Sequence, residues 1–167
     1  MRNYRDDDAP ALSQAIIDSY EHLTPWMDWV DADEAADLNA HRERIGRWSH
    51  EWKVGGDSYF GIFKGDILVG ACGLHRRGAP DSLEIGYWIH ASHTGLGYAT
   101  EVAAALTRAA LAIPGIKQVE IHHDKANVVS GRIPPRIGYD FAGEWPREKD
   151  APAEIGIEWR WVMTRSD

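Results

Sequence analysis

Residues 84–111 read EIGYWIHASHTGLGYATEVAAALTRAAL, and the hydrophobic period changes in the middle of them. Glu84 to His90 is a short run rich in β-branched and aromatic residues, the pattern of a strand. From Ala99 onward Ala99, Val102, Ala103, Leu106, Ala110 and Ile113 recur at three- and fourfold spacing until Pro114-Gly115 stops them, the pattern of a helix. Between the two lies Thr94-Gly95-Leu96-Gly97-Tyr98-Ala99-Thr100. Glycines in a strand-to-helix turn let the backbone approach a ligand closely, and the unpaired N–H groups of the first helical turn suit a pyrophosphate. A dinucleotide fold, an acyl-CoA site and a plain tight turn all compete for such a segment. The dinucleotide motif needs Gly-x-Gly-x-x-Gly opening a series of βαβ units, whereas the sixth position here is Thr100. The Gly-Lys-Ser/Thr of a Walker loop and a Gly-x-Ser-x-Gly elbow are both absent from the sequence.

Upstream, SYFGIF (58–63), ILVGACGL (67–74) and SLEIGYWIH (82–90) are separated by Lys64-Gly65-Asp66 and Arg76–Pro80, an antiparallel meander. Downstream, KQVEIHH (117–123) is a strand, NVVSGRIPPRIG (127–138) a short interrupted helix, and YDFAGEW (139–145) and GIEWRWVMT (156–164) are closing strands. The first third is helical. Asp8 before Ala9-Pro10 and Thr24 before Pro25 are cap-plus-proline starts. A longer helix is expected from about Asp33 to Gly55-Gly56, with Leu38, Ile45, Trp48 and Trp52 as its apolar stripe. The order is that of a mixed α/β layer fold built on an α+β sheet.

The 167 residues suit a single domain, 1–167. The chain carries 18 Lys plus Arg against 26 Asp plus Glu, a net charge of −8, which argues against nucleic acid. Residues 1–56 hold 6 of the basic and 12 of the acidic groups. Cys72 is the only cysteine, so neither an intramolecular disulfide nor a thiolate metal cluster is expected, which suits a reducing cytoplasm. No run of about 18 apolar residues exists and MRNYRDDDAPAL lacks the pattern of a secretory leader, so no membrane is expected as partner.

Two motifs carry a family resemblance. Thr94–Ala99 matches Gln/Arg-x-x-Gly-x-Gly/Ala except at Thr94, and Asn127, Ser130, Gly138 and Tyr139 match Asn-x-x-Ser followed by Gly-Phe/Tyr. With their context, from about Asp8 to Thr164, the chain resembles the GNAT superfamily of acyl-CoA-dependent N-acyltransferases, in particular its RimJ/RimL-like branch. The resemblance implies a twisted, mostly antiparallel central sheet with a splayed βαβ acyl-CoA site and helices on both faces. Acceptor-side helices would span about 9–55 and the acyl-CoA core about 58–164. It implies acetyl-CoA as donor, held by the backbone of Thr94, Gly95, Leu96, Gly97, Tyr98, Ala99 and Thr100, by the strand end at Trp88 and Ile89, and by Asn127 and Ser130. An N–H near Ile89 would polarise the thioester carbonyl. Only Met1–Arg5 precedes the acidic turn, so the first strand is expected to be vestigial or its start trimmed.

Acyl transfer needs a neutral amine, and lysine and α-amino groups are largely protonated at pH 7. Glu84, Glu120, His122 and His123 are the candidate bases. Glu84 shares a strand face with Gly86, Trp88 and His90; His123 lies four residues before the motif asparagine, where RimL-like enzymes can place a catalytic side chain; His122 and His123 point to opposite faces, so at most one is expected to serve a given site. Many relatives carry a tyrosine acid seven residues after the asparagine, where this chain has Pro134, which leaves Ser130 as the hydroxyl near the sulfur. Trp26 and Trp29 are the acceptor-pocket candidates, Trp88 a wall of the pantetheine, and the other tryptophans core. The expected function is transfer of an acetyl group from acetyl-CoA to a primary amine, of a protein N-terminus or of a small molecule, by direct attack in a monomer or homodimer without metal. The alternatives are a non-catalytic acyl-CoA sensor and, from the glycine turn alone, a dinucleotide oxidoreductase. The acidity of residues 1–56 suggests a cationic acceptor.

Overall fold

The computed structural model describes residues 1–165. Its first strand is very short: β1 (Arg2–Asn3) pairs with residues 60 and 61, and a turn of 3-10 helix at Asp6–Asp8 leads into α1 (Ala9–Asp18). α2 (Tyr20–Leu23), α3 (Ala32–Ala36) and α4 (Leu38–Val54) complete the helical third. The meander is β2 (Ser58–Lys64), β3 (Ile67–His75) and β4 (Ser82–Ile89). Then follow α5 (Tyr98–Leu111), β5 (Gln118–Asp124), α6 (Ile133–Arg136), β6 (Asp140–Pro146) and β7 (Ile157–Thr164). All seven strands form one sheet in the order β1-β2-β3-β4-β5-β7-β6, and every pairing is antiparallel except β4–β5. That exception is the parallel pair that α5 bridges, as a crossover connection requires.

Each face of the sheet buries its own cluster. Val102, Ala103, Leu106 and Ala110 of α5 pack on Leu83, Ile85, Val119 and Ile121. On the opposite face Leu12 and Ile16 of α1 and Ile45 of α4 pack on Leu68 and Trp88. The period of two therefore sends Glu84, Gly86 and Trp88 toward the helical third and Leu83, Ile85 and Ile89 toward α5.

Several local expectations are corrected. Asp8 does not cap α1; its carboxylate accepts from the Arg5 amide at 2.7 Å and the Arg2 guanidinium at 2.6 and 2.8 Å, tying the first strand to the helix. Thr24 closes α2 rather than opening a helix, its hydroxyl donating to the Tyr20 carbonyl at 2.7 Å. The helix expected from Asp33 is two. Asp31 caps α3 and Asp37 caps α4, each accepting two backbone N–H bonds, because Asp37 sits in an extended conformation between them. The expected stripe also fails at both ends: Leu38 is exposed, and Trp52 is 51% exposed, meeting only the edge of the Phe60 ring at 5.7 Å among its aromatic neighbours.

Candidate active site

The site is a gap in the sheet. β4 meets β5 only at Ser82–Glu84, opposite Gln118–Glu120; beyond Glu84, β4 stays with β3 as far as Ile89, while β5 stays with β7 as far as Asp124. The two strands therefore diverge. His90 N–H donates to the Val69 carbonyl at 2.9 Å, so the alternation of an antiparallel ladder turns the backbone groups of Glu84, Gly86 and Trp88 toward β3. Those of Tyr87 and Ile89 face the gap. A cleft of about 620 Å³ runs through it and is lined from both faces of the sheet, including both His122 and His123. His122 and His123 point to opposite faces and both line the cleft, which opens on either side of the sheet.

On the helical side, Glu84, Glu120 and Glu158 surround the His122 ring. Its Nε2 is 2.7 Å from Glu120 Oε2, and its Nδ1 is 3.5 Å from Glu84 Oε2 and 3.8 Å from Glu158 Oε2. Burial alone would raise the Glu120 carboxyl, but Ser82 Oγ, His122 and Gln118 bond to it and hold it below the usual glutamate range. An ionised Glu120 fixes the imidazole so that its other edge faces Glu84. Trp26 and Trp29 line the same side of the cleft, with the Trp29 ring 6.3 Å from that of Trp88. The cleft is not simply acidic: Arg44, Arg47, Arg77 and Arg147 line it beside Asp28, Glu84, Asp150 and Glu154. Four of the twelve acidic groups of the first third, Asp8, Asp31, Glu34 and Asp37, are engaged in caps and in the Arg2 and Arg44 pairs.

On the α5 side, His123 is fully engaged. The indole N–H of Trp161 is a donor only, so at 3.0 Å it fixes His123 Nε2 as the acceptor, and Nδ1 then carries the hydrogen that reaches the Asp124 carbonyl at 2.8 Å. Burial pushes this imidazole below its ordinary value, so the ring is neutral with no free lone pair. Ser130 Oγ lies 3.3 Å from Tyr87 Oη, and Asn127 Oδ1 accepts from the Ser130 amide at 3.1 Å. Burial raises the Tyr87 phenol to about 12. Sequence reasoning missed Tyr87, because the period of two places it among the core residues Ile85 and Ile89. The one available signal was Pro134 standing where a tyrosine acid was expected. Cys72 is buried and its thiol is likewise pushed up to about 12, which disfavours a cysteine acyl-enzyme.

The glycine turn presents free donors. The first bond of α5 runs from the Glu101 amide to the Gly97 carbonyl at 3.0 Å, which leaves the Tyr98, Ala99 and Thr100 amides pointing outward. Thr94 is occupied locally, its hydroxyl donating to the Ala91 carbonyl at 3.1 Å. Gly95 and Gly97 have φ of +73° and +86°, and nothing lies within 4 Å of a Cβ placed on either. Conformation, not bulk, demands glycine there. Gly97→Ala is expected to cost about 1–2 kcal/mol of stability, which calorimetry measures.

Among the described residues no group of three or more His, Cys, Asp or Glu side chains is arranged to hold a metal ion, and no helix is long and apolar enough to cross a membrane. Residues 1–140 match the family model described as an acetyltransferase (GNAT) domain. The chain belongs to the GNAT acetyltransferase family. Among curated proteins it is 28% identical over 141 residues to one from Bacillus subtilis (strain 168) named "Putative ribosomal N-acetyltransferase YdaF", an alignment covering 83% of this chain and 76% of that one. Among solved structures, Mycobacterium smegmatis RimJ in complex with CoA-disulfide superposes with a TM-score of 0.87 at 23% identity, covering 98% of this chain and 80% of that chain. RimL, a ribosomal L7/L12 α-N-protein acetyltransferase in complex with coenzyme A, gives a TM-score of 0.87 at 17% identity, with coverage of 98% and 92%. The chain is thus an acetyltransferase with the GNAT arrangement of a seven-stranded open sheet flanked by helices.

Proposed function

We propose that the protein transfers the acetyl group of acetyl-CoA to a primary amine, with a protein N-terminal α-amine as the acceptor. The carrying observation is the gap between β4 and β5, edged by the Tyr87 and Ile89 amides and opening on one face toward Glu84 and on the other toward Ser130. The names of the B. subtilis, RimJ and RimL relatives favour a ribosomal-protein α-amine over a small molecule. Residues 1–167 act as one catalytic unit in the cytoplasm, the segment 9–55 closing the acceptor side and 58–164 carrying the donor.

The donor's pyrophosphate sits on the amides of Gly95–Thr100, at the positive end of α5. Pantetheine lies along β4 at Tyr87, Trp88 and Ile89 in place of the missing strand, with Asn127 and Ser130 on its other side. The thioester carbonyl oxygen accepts from the Tyr87 or Ile89 amide, a donor fixed in advance where negative charge develops. The amine approaches past Trp26 and Trp29 and attacks the carbonyl carbon, and Glu84 accepts a proton from its nitrogen. His122, locked by Glu120, lies beside Glu84 and keeps the removed proton within a network. The departing thiolate takes a proton from Tyr87, relayed or shared by Ser130. His123 positions the Ser130 loop: a Cβ on Gly131 would come 2.8 Å from its ring.

Incubating the protein with acetyl-CoA and hexapeptide amides beginning with Ala or Ser should yield singly acetylated peptide and stoichiometric free thiol, read by mass spectrometry and a thiol reagent. CoA binding without amine-dependent thiol release overturns the reading and favours an acyl-CoA sensor. Tyr87→Phe is expected to lower kcat by about tenfold or less, since a thiolate needs little acid help and general acid catalysis is otherwise worth about 100-fold or more; steady-state thiol release checks it.

A further inference from the structure

An ammonium acceptor must shed two protons before it becomes a neutral amide, one before its nitrogen can attack and one after. The roles above employ Glu84 for one of them. We propose that His75, oriented by Asp57, is the second proton acceptor and touches the acceptor amine directly; this rests on the acetyl-transfer reading above.

His75 is the last residue of β3, lies directly opposite Glu84 in the ladder and is only 6% exposed. Residues opposite each other project on the same face, so its ring shares the acceptor side of the cleft with Glu84 and Trp88. The ring is laid across two glycines. A Cβ on Gly73 would come 2.8 Å from His75 Nε2 and one on Gly86 3.1 Å, so the imidazole occupies space that any other residue at either position would fill. Gly86 stands between Glu84 and Trp88 on this face. Nε2 thus hangs over the stretch of β4 beside the Tyr87 amide, where an attacking amine must come.

The orientation is held from behind. Nδ1 is 2.9 Å from Asp57 Oδ2, and Asp57 is itself fixed by the Arg76 amide at 2.8 Å and the Tyr59 hydroxyl at 3.3 Å. Burial would raise the Asp57 carboxyl, but the Arg76 amide and His75 hold it below the aspartate range. An ionised Asp57 accepts the hydrogen bond from Nδ1–H, leaving the Nε2 lone pair outward with no hydrogen-bond partner among the described residues. The charged and titratable groups facing the ring are Asp57 before β2, Tyr59 on β2, Arg77 in the turn after β3 and Glu84 on β4. Burial lowers the His75 imidazole despite Asp57, so it waits neutral, as a proton acceptor must.

The steps balance. The ammonium N–H breaks and its proton goes to His75 Nε2, making an imidazolium beside Asp57. The freed lone pair forms the C–N bond at the thioester carbonyl, and the second N–H proton passes to Glu84. The C–S bond then breaks and the thiolate takes one proton from Tyr87, which is restored from Glu84 by way of solvent. His75 returns its proton to water, so one proton is released per turnover.

A merely structural tie between β2 and β3 would not distinguish acceptors by basicity, and that is the test. His75→Gln and Asp57→Asn are assayed with an Ala-initiated hexapeptide amide and with the same peptide carrying an aminooxyacetyl terminus, whose weakly basic nitrogen is already neutral at pH 7. Both variants are expected to lose at least about tenfold in kcat/KM with the first acceptor and under about threefold with the second, with the acetyl-CoA KM unchanged. Equal losses with both acceptors, or no loss with either, overturn the proposal. If His75→Gln does not fold, Asp57→Asn, which preserves size, decides the matter. Absence of any amine-dependent thiol release in the unaltered protein would instead sink the acetyl-transfer reading.

Discussion

Replacing Glu84 with glutamine is expected to lower kcat/KM for peptide acetylation by about 100- to 10,000-fold, or about 3 to 5 kcal/mol of barrier. Glutamine keeps the size and reach of the side chain but accepts no proton. Among the described residues the closest ion pair lost is with Arg77, at 3.3 Å and with the arginine largely exposed, so stability should change by about 1 kcal/mol or less. The His122 contact is longer still, at 3.5 Å. Acetyl-CoA affinity should be unaffected, because the turn at Gly95–Thr100 and the β4 edge remain intact. Raising the pH above the ordinary value of the acceptor's α-amine, about 8, should not by itself restore the variant's rate, because the proton that Glu84 accepts leaves the nitrogen only after attack. Steady-state thiol release at several pH values measures this. A loss of under about threefold at pH 7 would remove Glu84 from the chemistry.

The second large effect concerns a carboxylate that touches no substrate. Asp124 ends β5 and is 3% exposed. Its Oδ1 accepts from the Ala126 amide at 2.8 Å, and its Oδ2 accepts from the Ile155, Gly156 and Ile157 amides at 3.1, 3.0 and 3.3 Å. One side chain thus pins the loop bearing Asn127 and Ser130 to the start of β7. Asp124→Ala leaves these N–H groups without their acceptor, and a loss of roughly 3 to 5 kcal/mol is expected, since bonds to a charged group are worth about 1.5–3 each and do not add fully. Burial would raise this carboxyl, yet the four amides hold it below its ordinary value. A depressed carboxyl contributes its full stability above the unfolded value, near 3.9, and loses it as the pH falls through the folded value. Denaturant titrations below about pH 4 should therefore show an acid-dependent fall in stability, and that part should be missing in Asp124→Ala. An unchanged acid limb would assign the pH dependence elsewhere.

The elements legible in the sequence were those whose physics is local. The alternation in SLEIGYWIH, the helical stripe after Ala99 and the two glycines between them were enough to place β4, the turn and α5, because each depends on neighbours a few residues away. The family motifs marked Asn127 and Ser130, which the structure joins through the Ser130 amide and Asn127 Oδ1. Short-range signals misled where a tertiary partner claimed the same residue. Asp8 went to Arg2 instead of a helix cap, and Trp52, periodic with Ile45, stays half exposed against the Phe60 ring. Trp145, expected in the core, is 38% exposed on the edge strand β6. The acceptor face was the least legible part. Tyr87 meets Ser130 across 43 positions, and His75 depends on Asp57, 18 positions back, and on the emptiness of Gly73 and Gly86. Such constellations leave no periodic trace, since strand pairing rather than spacing brings them together. The divergence of β4 from β5 is equally silent, because it records a ladder that stops.

That divergence is also where the account is most exposed to test. A crystal structure with CoA and an Ala-initiated peptide should place the sulfur between β4 and β5. The Tyr87 or Ile89 amide should lie within hydrogen-bonding reach of the acyl oxygen position, and the peptide amine should stand on the Glu84 side. CoA bound elsewhere, or a peptide amine on the Ser130 side of the sheet, would contradict the reading of the gap as the seat of acyl transfer.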